Sequence, residues 1–319
     1  MVSNERHNGG EEVMVIIDSN ALIHRAYHAL PPLKTKQGNL VNAVYGFILI
    51  LFKTINDFHP EYMAATFDFP APTFRHIKSA TYKAKRVKTP IDLIEQIPLI
   101  KEVLTAFHIP IYEQKGYEAD DLIGTIATYG KKQLSAKGKI FLVSGDYDLL
   151  QLVNEKVSAY ILSRGVKNAN LFDKDAVVKK YSGLTPEQLI DYKALRGDQS
   201  DNISGVKGVG EKTAIDIIRK YNTLDNVYRA IESNDNTKIQ IRESVIKLLL
   251  AQKEQALSSR YLSEIECNVP ISFEINDLKW RGYNQEEVEA LLTRLAFHSL
   301  IKKLNLGNQS IKSKQPKLI

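Results

Sequence analysis

The sequence predicts a doubly wound α/β fold on a mainly parallel sheet, followed by a mostly helical region. Continuous apolar runs, rather than alternating ones, recur at Val13–Ile17, Tyr62–Phe67 and Ile140–Val143, as expected of strands buried on both faces. Helical periodicity fills the intervals, for example at Ile94, Ile97, Lys101, Leu104 and Phe107. Each apolar run leads into an acid: Asp18, Asp68, and Asp146 after Ser144 and Gly145. Open α/β sheets bind ligands beyond the carboxyl ends of their strands, so these three ends are expected to form one site.

The elements follow in order. Residues 1–12 are polar and read as a flexible N-terminus. The α/β core is expected over 13–184. From about Thr185 short helical patterns take over and run to 304, with Val269–Ile275 as a further strand-like run. Residues 305–319 contain lysines and no acid, the composition of a basic tail.

A formal charge of +6 over 319 residues and a pI near 9.0 suit nucleic acid or another anionic surface. Cys267 is the only cysteine, which excludes an intramolecular disulfide and favours a reducing compartment. The apolar run Val13–Ile17 is too short for a membrane span or a signal-peptide core, so a cytoplasmic protein without membrane attachment is expected.

Nine carboxylates carry the chemistry: Asp18, Asp68, Glu118, Asp120, Asp121, Asp146, Asp148, Asp198 and Asp201. Gathered together they would repel one another, and only cations would relieve that repulsion. Oxygen ligands without sulfur and with little imidazole select Mg²⁺ or Mn²⁺ over zinc. Glu118, Asp120 and Asp121 open a helical pattern, where capping would explain one or two acids but explains three poorly. Asp146 and Asp148 leave a strand together, and Asp198 and Asp201 stand three residues apart; for both pairs a turn or cap remains the alternative.

The stretch Gly205-Val206-Lys207-Gly208-Val209-Gly210-Glu211-Lys212 is a glycine-rich hairpin leading into a helix. Gly208 and Gly210 are expected to permit positive φ, and the helix start offers free N–H groups flanked by Lys207 and Lys212. Its GxxGxG order without a preceding strand argues against a dinucleotide loop and for a helix–hairpin–helix gripping DNA phosphates. Residues 69–91 contain no acid and carry Arg75, Lys78, Lys83, Lys85, Arg86 and Lys88 among Phe74, His76 and Tyr82. Directly after Asp68, this segment would overhang the acidic pocket, where cations and aromatics suit a frayed or single-stranded end.

Taken together, Asp18 with Arg25, FDFPAPTFRH (67–76), YKAKR (82–86), GYEADD (116–121), SGDYDLLQL (144–152) and DYKALRGDQSDNISGVKGVGEKTA (191–214) resemble the 5′ nuclease family, over about residues 13–304. Within that family it is similar to the 5′–3′ exonuclease domain of bacterial DNA polymerase I and to free-standing bacterial and phage counterparts. The resemblance implies a PIN-like core with a helical arch at about 70–92 and a helix–hairpin–helix (H3TH) region over 185–304. It implies a monomeric phosphodiester hydrolase acting on DNA with 5′ flaps, nicks or frayed 5′ ends, RNA-primed DNA included, in replication and repair. Two or more Mg²⁺ or Mn²⁺ ions would be held by Asp18, Asp68, Glu118, Asp120, Asp121, Asp146 and Asp148, with Asp198 and Asp201 completing the second site.

By the same resemblance, Lys83, Arg75 and Arg86 would reach the scissile phosphate. Arg25, Tyr82, Lys85, Gly205, Lys207, Gly208, Gly210 and Lys212 would bind DNA, with a monovalent ion such as K⁺ at the hairpin. Two departures stand out: Tyr147 where many relatives carry Lys, and Ser204 where Pro is usual. Neither removes an acid of the expected set. A small PIN-fold ribonuclease would lack the hairpin and basic arch, and a DNA-end-binding scaffold would not need nine acids.

Overall fold

The computed structural model describes residues 12–166, 168–233 and 240–304. Six strands form one sheet: β1 (Val13–Asp18), β2 (Tyr62–Thr66), β3 (Ile111–Tyr112), β4 (Lys139–Ser144), β5 (Val157–Arg164) and β6 (Asn168–Phe172). Their order is β3-β2-β1-β4-β5-β6, parallel throughout except for the antiparallel β5–β6 pair. The chain moves from β1 outward through β2 to β3, then crosses back to place β4 on the other side of β1. That reversal makes β1 the switch point, with Asp18 beside Thr66 and Ile17 beside Val143.

The period of two along β1 explains its unbroken apolar sequence. Met14 and Ile16 pack into one core layer while Val15 and Ile17 pack into the other. The second layer is built by α1 (Ser19–Ala29), α2 (Asn42–Phe58) and α5 (Ile97–Ala106). Between α2 and α5 lie two short helices, α3 (Phe74–Lys78) and α4 (Ile91–Ile94). The first layer is covered by α6 (Ala119–Gln133), whose Ile123, Ile126 and Ala127 are buried.

After β6, α7 (Lys174–Lys180) leads into a helical region of α8 (Leu189–Arg196), α9 (Glu211–Tyr221), α10 (Leu224–Glu232), α11 (Glu243–Ala251) and α12 (Lys253–Ser263). Its apolar faces join the core layer under α6. The chain then returns to the opposite face of the sheet. The Trp280 indole N–H donates to the Phe107 carbonyl (2.8 Å), and Val288, Leu291 and Leu292 of α13 (Gln285–Arg294) are buried with Phe107 and Leu104.

Four sequence expectations change. Within the segment expected as a helical arch (70–92), only Phe74–Lys78 and the start of α4 are helical, with turns between them. β3, β5 and β6 went unforeseen. Val269–Ile275 is not a strand; it lies against α6, and the Val269 N–H donates to Thr125 Oγ1 (3.0 Å) instead of joining a ladder. Glu12 is anchored rather than flexible, because its carboxylate accepts the Ser135 N–H (2.6 Å) and its carbonyl the Lys139 N–H (2.8 Å). The rest of the expected flexible terminus and the expected basic tail lie outside the described residues.

Candidate active site

The carboxyl ends of β1, β2 and β4 and the start of α6 bring acids into one cleft. Asp18, the last residue of β1, caps α1 by accepting the Ala21 N–H (3.1 Å) and accepts the Ser144 hydroxyl at 2.5 Å. Ser144 ends β4 and also accepts the Asp146 N–H (2.9 Å), while Asp146 Oδ1 accepts the Asp148 N–H (2.9 Å). Asp68, just past β2, accepts the Ala119 N–H (2.8 Å) at the start of α6. Asp18, Asp68, Glu118, Asp120 and Asp146 thus line a cleft of about 490 Å³ together with His24, Lys83, Arg86 and Lys88.

Burial pushes the Asp18 carboxyl up to about 7; the hydrogen bonds from Ser144 and Ala21 oppose the rise, and the charges of Asp68 and Asp146 add to it. Asp120 is pushed well above the ordinary carboxylate range, first by burial and then by Asp18 and Asp146. The cleft therefore holds more negative charge than it stabilises by itself.

A second group lies alongside. The Lys193 ammonium bridges Asp148 (2.5 Å) and Asp198 (2.7 Å). Burial raises Asp148 to about 7 in spite of Lys193. For Asp198 burial is outweighed by Lys193 and by the hydroxyl and N–H of Ser200, which bring it down to about 2. Lys193 was not among the expected site residues. Its signal was positional: it stands one turn after buried Leu189 on α8, where a lysine needs a buried partner.

Several expected site residues have other employment. Asp121 is fully buried, and its two oxygens accept both Arg75 Nη groups (2.7 and 2.8 Å) and the N–H groups of Glu118 (3.0 Å) and Glu266 (2.9 Å). Four donors fill its lone pairs, so Asp121 is corrected from metal ligand to structural anchor. Arg75 is corrected with it. Its remaining donors go to the carbonyls of Leu262 (3.1 Å) and Glu264 (2.5 Å) and to Glu118 (3.4 Å), so every one of them is spent on protein groups, and Arg75 meets the cleft only through Glu118.

The acids expected as a second-site pair part company. Asp198 belongs with Lys193, whereas Asp201 accepts Arg86 (2.5 Å) and the Tyr82 hydroxyl (3.2 Å) and lies 3.8 Å from Lys83 Nζ. Glu118 takes Lys83 Nζ (2.9 Å) and the Tyr82 hydroxyl (3.0 Å). Tyr82 is buried, which corrects its expected role in binding DNA: it ties the arch segment to Glu118 at the start of α6 and to Asp201. The Lys83 N–H to Asp201 carbonyl bond (2.9 Å) and the Asn202 side-chain amide to Thr81 carbonyl bond (2.7 Å) complete that seam. Lys85 and Lys88 stay exposed. Arg25 donates to the Ser163 (3.1 Å) and Gly145 (3.4 Å) carbonyls, bracing the loop after β4.

In the hairpin, Gly197 (φ +79) and Gly205 (φ +63) cross so closely that a Cβ on Gly205 would lie 2.3 Å from the Gly197 nitrogen. Gly208 takes φ +97 as expected. Gly210 does not: it is extended (φ −85), faces open space and serves as the N-cap of α9. Lys207 and Lys212 are exposed at this end of α9. Among the described residues no three His, Cys, Asp or Glu side chains are grouped so as to hold a metal ion by themselves, and no helix is long and apolar enough to cross a membrane.

Residues 13–182 match the 5′-3′ exonuclease N-terminal resolvase-like domain, and residues 184–286 match the 5′-3′ exonuclease C-terminal SAM fold. The chain is 40% identical over 302 residues to DNA polymerase I of Bacillus subtilis, covering 95% of this chain and 33% of that protein, so it spans about a third of that relative's length. It is 38% identical over 295 residues to a 5′-3′ exonuclease of Aquifex aeolicus, covering 92% and 96%. Two solved structures share the fold: the T5 D15 protein co-crystallised with metal ions (TM-score 0.66, 18% identity, 89% of this chain and 98% of that one) and the Rad2 catalytic core in complex with DNA substrate (0.58, 14%, 92% and 91%). With strand-end acids at the switch point, a hairpin region behind them and both domain matches in sequence order, the chain belongs to the 5′-3′ exonuclease family and is a nuclease.

Proposed function

We propose that this nuclease is a divalent-metal-dependent, structure-selective 5′–3′ exonuclease and 5′-flap endonuclease. In this reading it uses Mg²⁺ or Mn²⁺ to hydrolyse DNA phosphodiesters during replication and repair. The observation that carries the reading is the frustrated charge of the cleft. Asp18 and Asp148 are held near pH 7 and Asp120 is pushed up with them, mainly by burial, beside the basic segment that carries Lys83, Arg86 and Lys88. This donor set is all oxygen and open on one side, which fits ions that keep several waters and accept substrate phosphate oxygens rather than ions held in a closed protein cage.

Asp18, Asp68, Asp120 and Asp146 would hold one ion, and Asp148 with Asp198 would contribute to a second beside Lys193. Two such ions supply an activated water and stabilisation of the leaving oxygen in an in-line displacement. Glu118 and Asp201 hold Lys83 and Arg86 at the cleft. From there their charges can stabilise a phosphate gaining negative charge as the P–O bond breaks. The exposed Lys207 and Lys212 at the start of α9 suit the backbone of a duplex, a contact that reads no sequence.

Cleavage of a 5′-labelled flap duplex, with Mg²⁺ against EDTA and scored by product size, tests the reading. Mg²⁺-dependent release of short 5′ products is expected, and Asp146→Ala should abolish release while binding persists. Cleavage that survives EDTA, or an unaltered Asp146→Ala enzyme, would refute it.

A further inference from the structure

Tyr147 lies between the loop acids Asp146 and Asp148, and its ring carries a cation. Lys180 Nζ, from the end of α7, stands 4.1 Å from the Tyr147 ring centroid. Phe172 of β6 (5.9 Å) and Tyr181 (5.7 Å) form the remaining sides of the box. Phe172 meets the Tyr147 ring edge-on, with centroids 5.8 Å apart at 80°, which fixes the plane on which the ammonium rests.

The contrast with Lys193 gives this cation its meaning. Lys193 is largely buried, and its charge is absorbed by Asp148 and Asp198. Lys180 is exposed, and among the described residues it makes no ion pair with Asp or Glu. An ammonium on a ring face keeps N–H donors for an acceptor in solvent. A fixed, un-neutralised cation flanking a loop of acids is spare charge for an anion drawn to that loop.

We propose that Tyr147 is a positioning residue that holds the Lys180 ammonium against the Asp146–Asp148 loop, where Lys180 grips a backbone phosphate of the bound DNA. The proposal rests on the DNA-hydrolysing reading above. With three rings within 6 Å of the ammonium, Lys180 meets the phosphate with less rotamer freedom to lose than a lysine free in solvent. The pair thereby contributes to substrate grip and not to the bond-breaking step.

The test measures KM, kcat and the salt dependence of KM on a 5′-labelled flap duplex with Mg²⁺. Lys180→Ala should raise KM about fivefold at low salt, leave kcat within about twofold, and make the log KM–log salt slope shallower by about one. Tyr147→Leu should reproduce this, and Tyr147→Leu with Lys180→Ala should add nothing further. Tyr147→Phe, which keeps the ring face, should restore what Tyr147→Leu loses. Tyr147→Lys combined with Lys180→Ala returns the charge to the loop and should recover most of the KM and slope. Unchanged KM and slope in Lys180→Ala, additive losses in the double variant, or a fall in kcat alone would each overturn the proposal. If the wild-type enzyme failed to cut the flap duplex, the substrate reading itself would fall; normal wild-type cutting with an unaffected Lys180→Ala removes this proposal alone.

Discussion

Removing the Arg75 guanidinium should unfold this protein before it disarms it. Arg75 donates to both oxygens of Asp121, to Glu118 and to two backbone carbonyls, and all of these groups are buried or partly buried. Arg75→Met keeps roughly the same volume but strands the Asp121 carboxylate with only two backbone donors. Breaking a buried pair by deleting one partner costs about 3–5 kcal/mol. For a chain of this size that corresponds to a fall of about 5–15 °C in thermal midpoint. Asp121→Leu introduced beside Arg75→Met removes the orphaned charge and should recover part of the loss, a non-additivity expected of residues in contact. Stability is best compared between about pH 7 and about pH 8, where unfolded carboxylates are ionised. Thermal and urea melts across that range give the stability, and single-turnover cleavage well below the midpoint gives the chemistry. A variant that melts like wild type yet cleaves a hundredfold slower would show that Arg75 reaches substrate, and the clamp would be refuted.

Other expectations follow from the same structure. Lys83→Ala should slow cleavage far more than it weakens duplex binding, because Lys83 sits at the acid cleft; equal losses in a rate assay and a binding titration would assign it to substrate grip instead. Gly205→Ala should cost about 3 kcal/mol by forcing a Cβ onto the crossing hairpin strand, whereas Gly210→Ala should stay within about 0.5 kcal/mol, as read by urea melts. The folded pKa values of Asp18 and Asp148, near 7, lie above those of unfolded carboxylates. Metal-free protein should therefore gain stability from these groups as pH falls through about 7 toward about 4, and the added thermal stability from saturating Mg²⁺ should fade over the same range. A Mg²⁺ effect independent of pH would contradict that assignment. Lys193→Met should raise the Asp198 pKa from about 2 toward the ordinary range, a change visible in carboxylate NMR titration.

The legible part of the fold was the part buried on both faces. β1, β2 and β4 each place apolar side chains in two core layers, so their sequences show unbroken runs, and the acids just beyond them marked the cleft. β5 carries the same two-sided burial, but Ser158 and Ser163 interrupt its run, and β6 is a largely exposed edge strand of mixed polarity. Val269–Ile275 misled in the opposite direction, since an apolar segment lying on a helix has the composition of a strand without its hydrogen-bond partners. In the site, Asp18, Asp68, Asp120 and Asp146 were readable because strand ends and helix starts fix where they stand. The fates of Asp121 and Arg75 were not, because saturation by Leu262, Glu264 and Glu266 depends on contacts across more than a hundred residues.

The return of the chain to the far face of the sheet bears on the order in which the enzyme becomes complete. All the acids of the cleft have been synthesised by Asp201, yet the layer beneath β1 and α5 is finished only by Trp280, α13, Phe297, Leu300 and Leu304. Translation delivers residues from the N-terminus, and contacts this distant in sequence form late. A nascent chain emerging from the ribosome therefore carries its whole set of charged cleft residues on a scaffold still exposing one apolar face. Residues from Trp280 to Leu304 cover that face, so a chain cut between Asp201 and Trp280 is expected to keep its charged cleft residues and to aggregate through the uncovered layer.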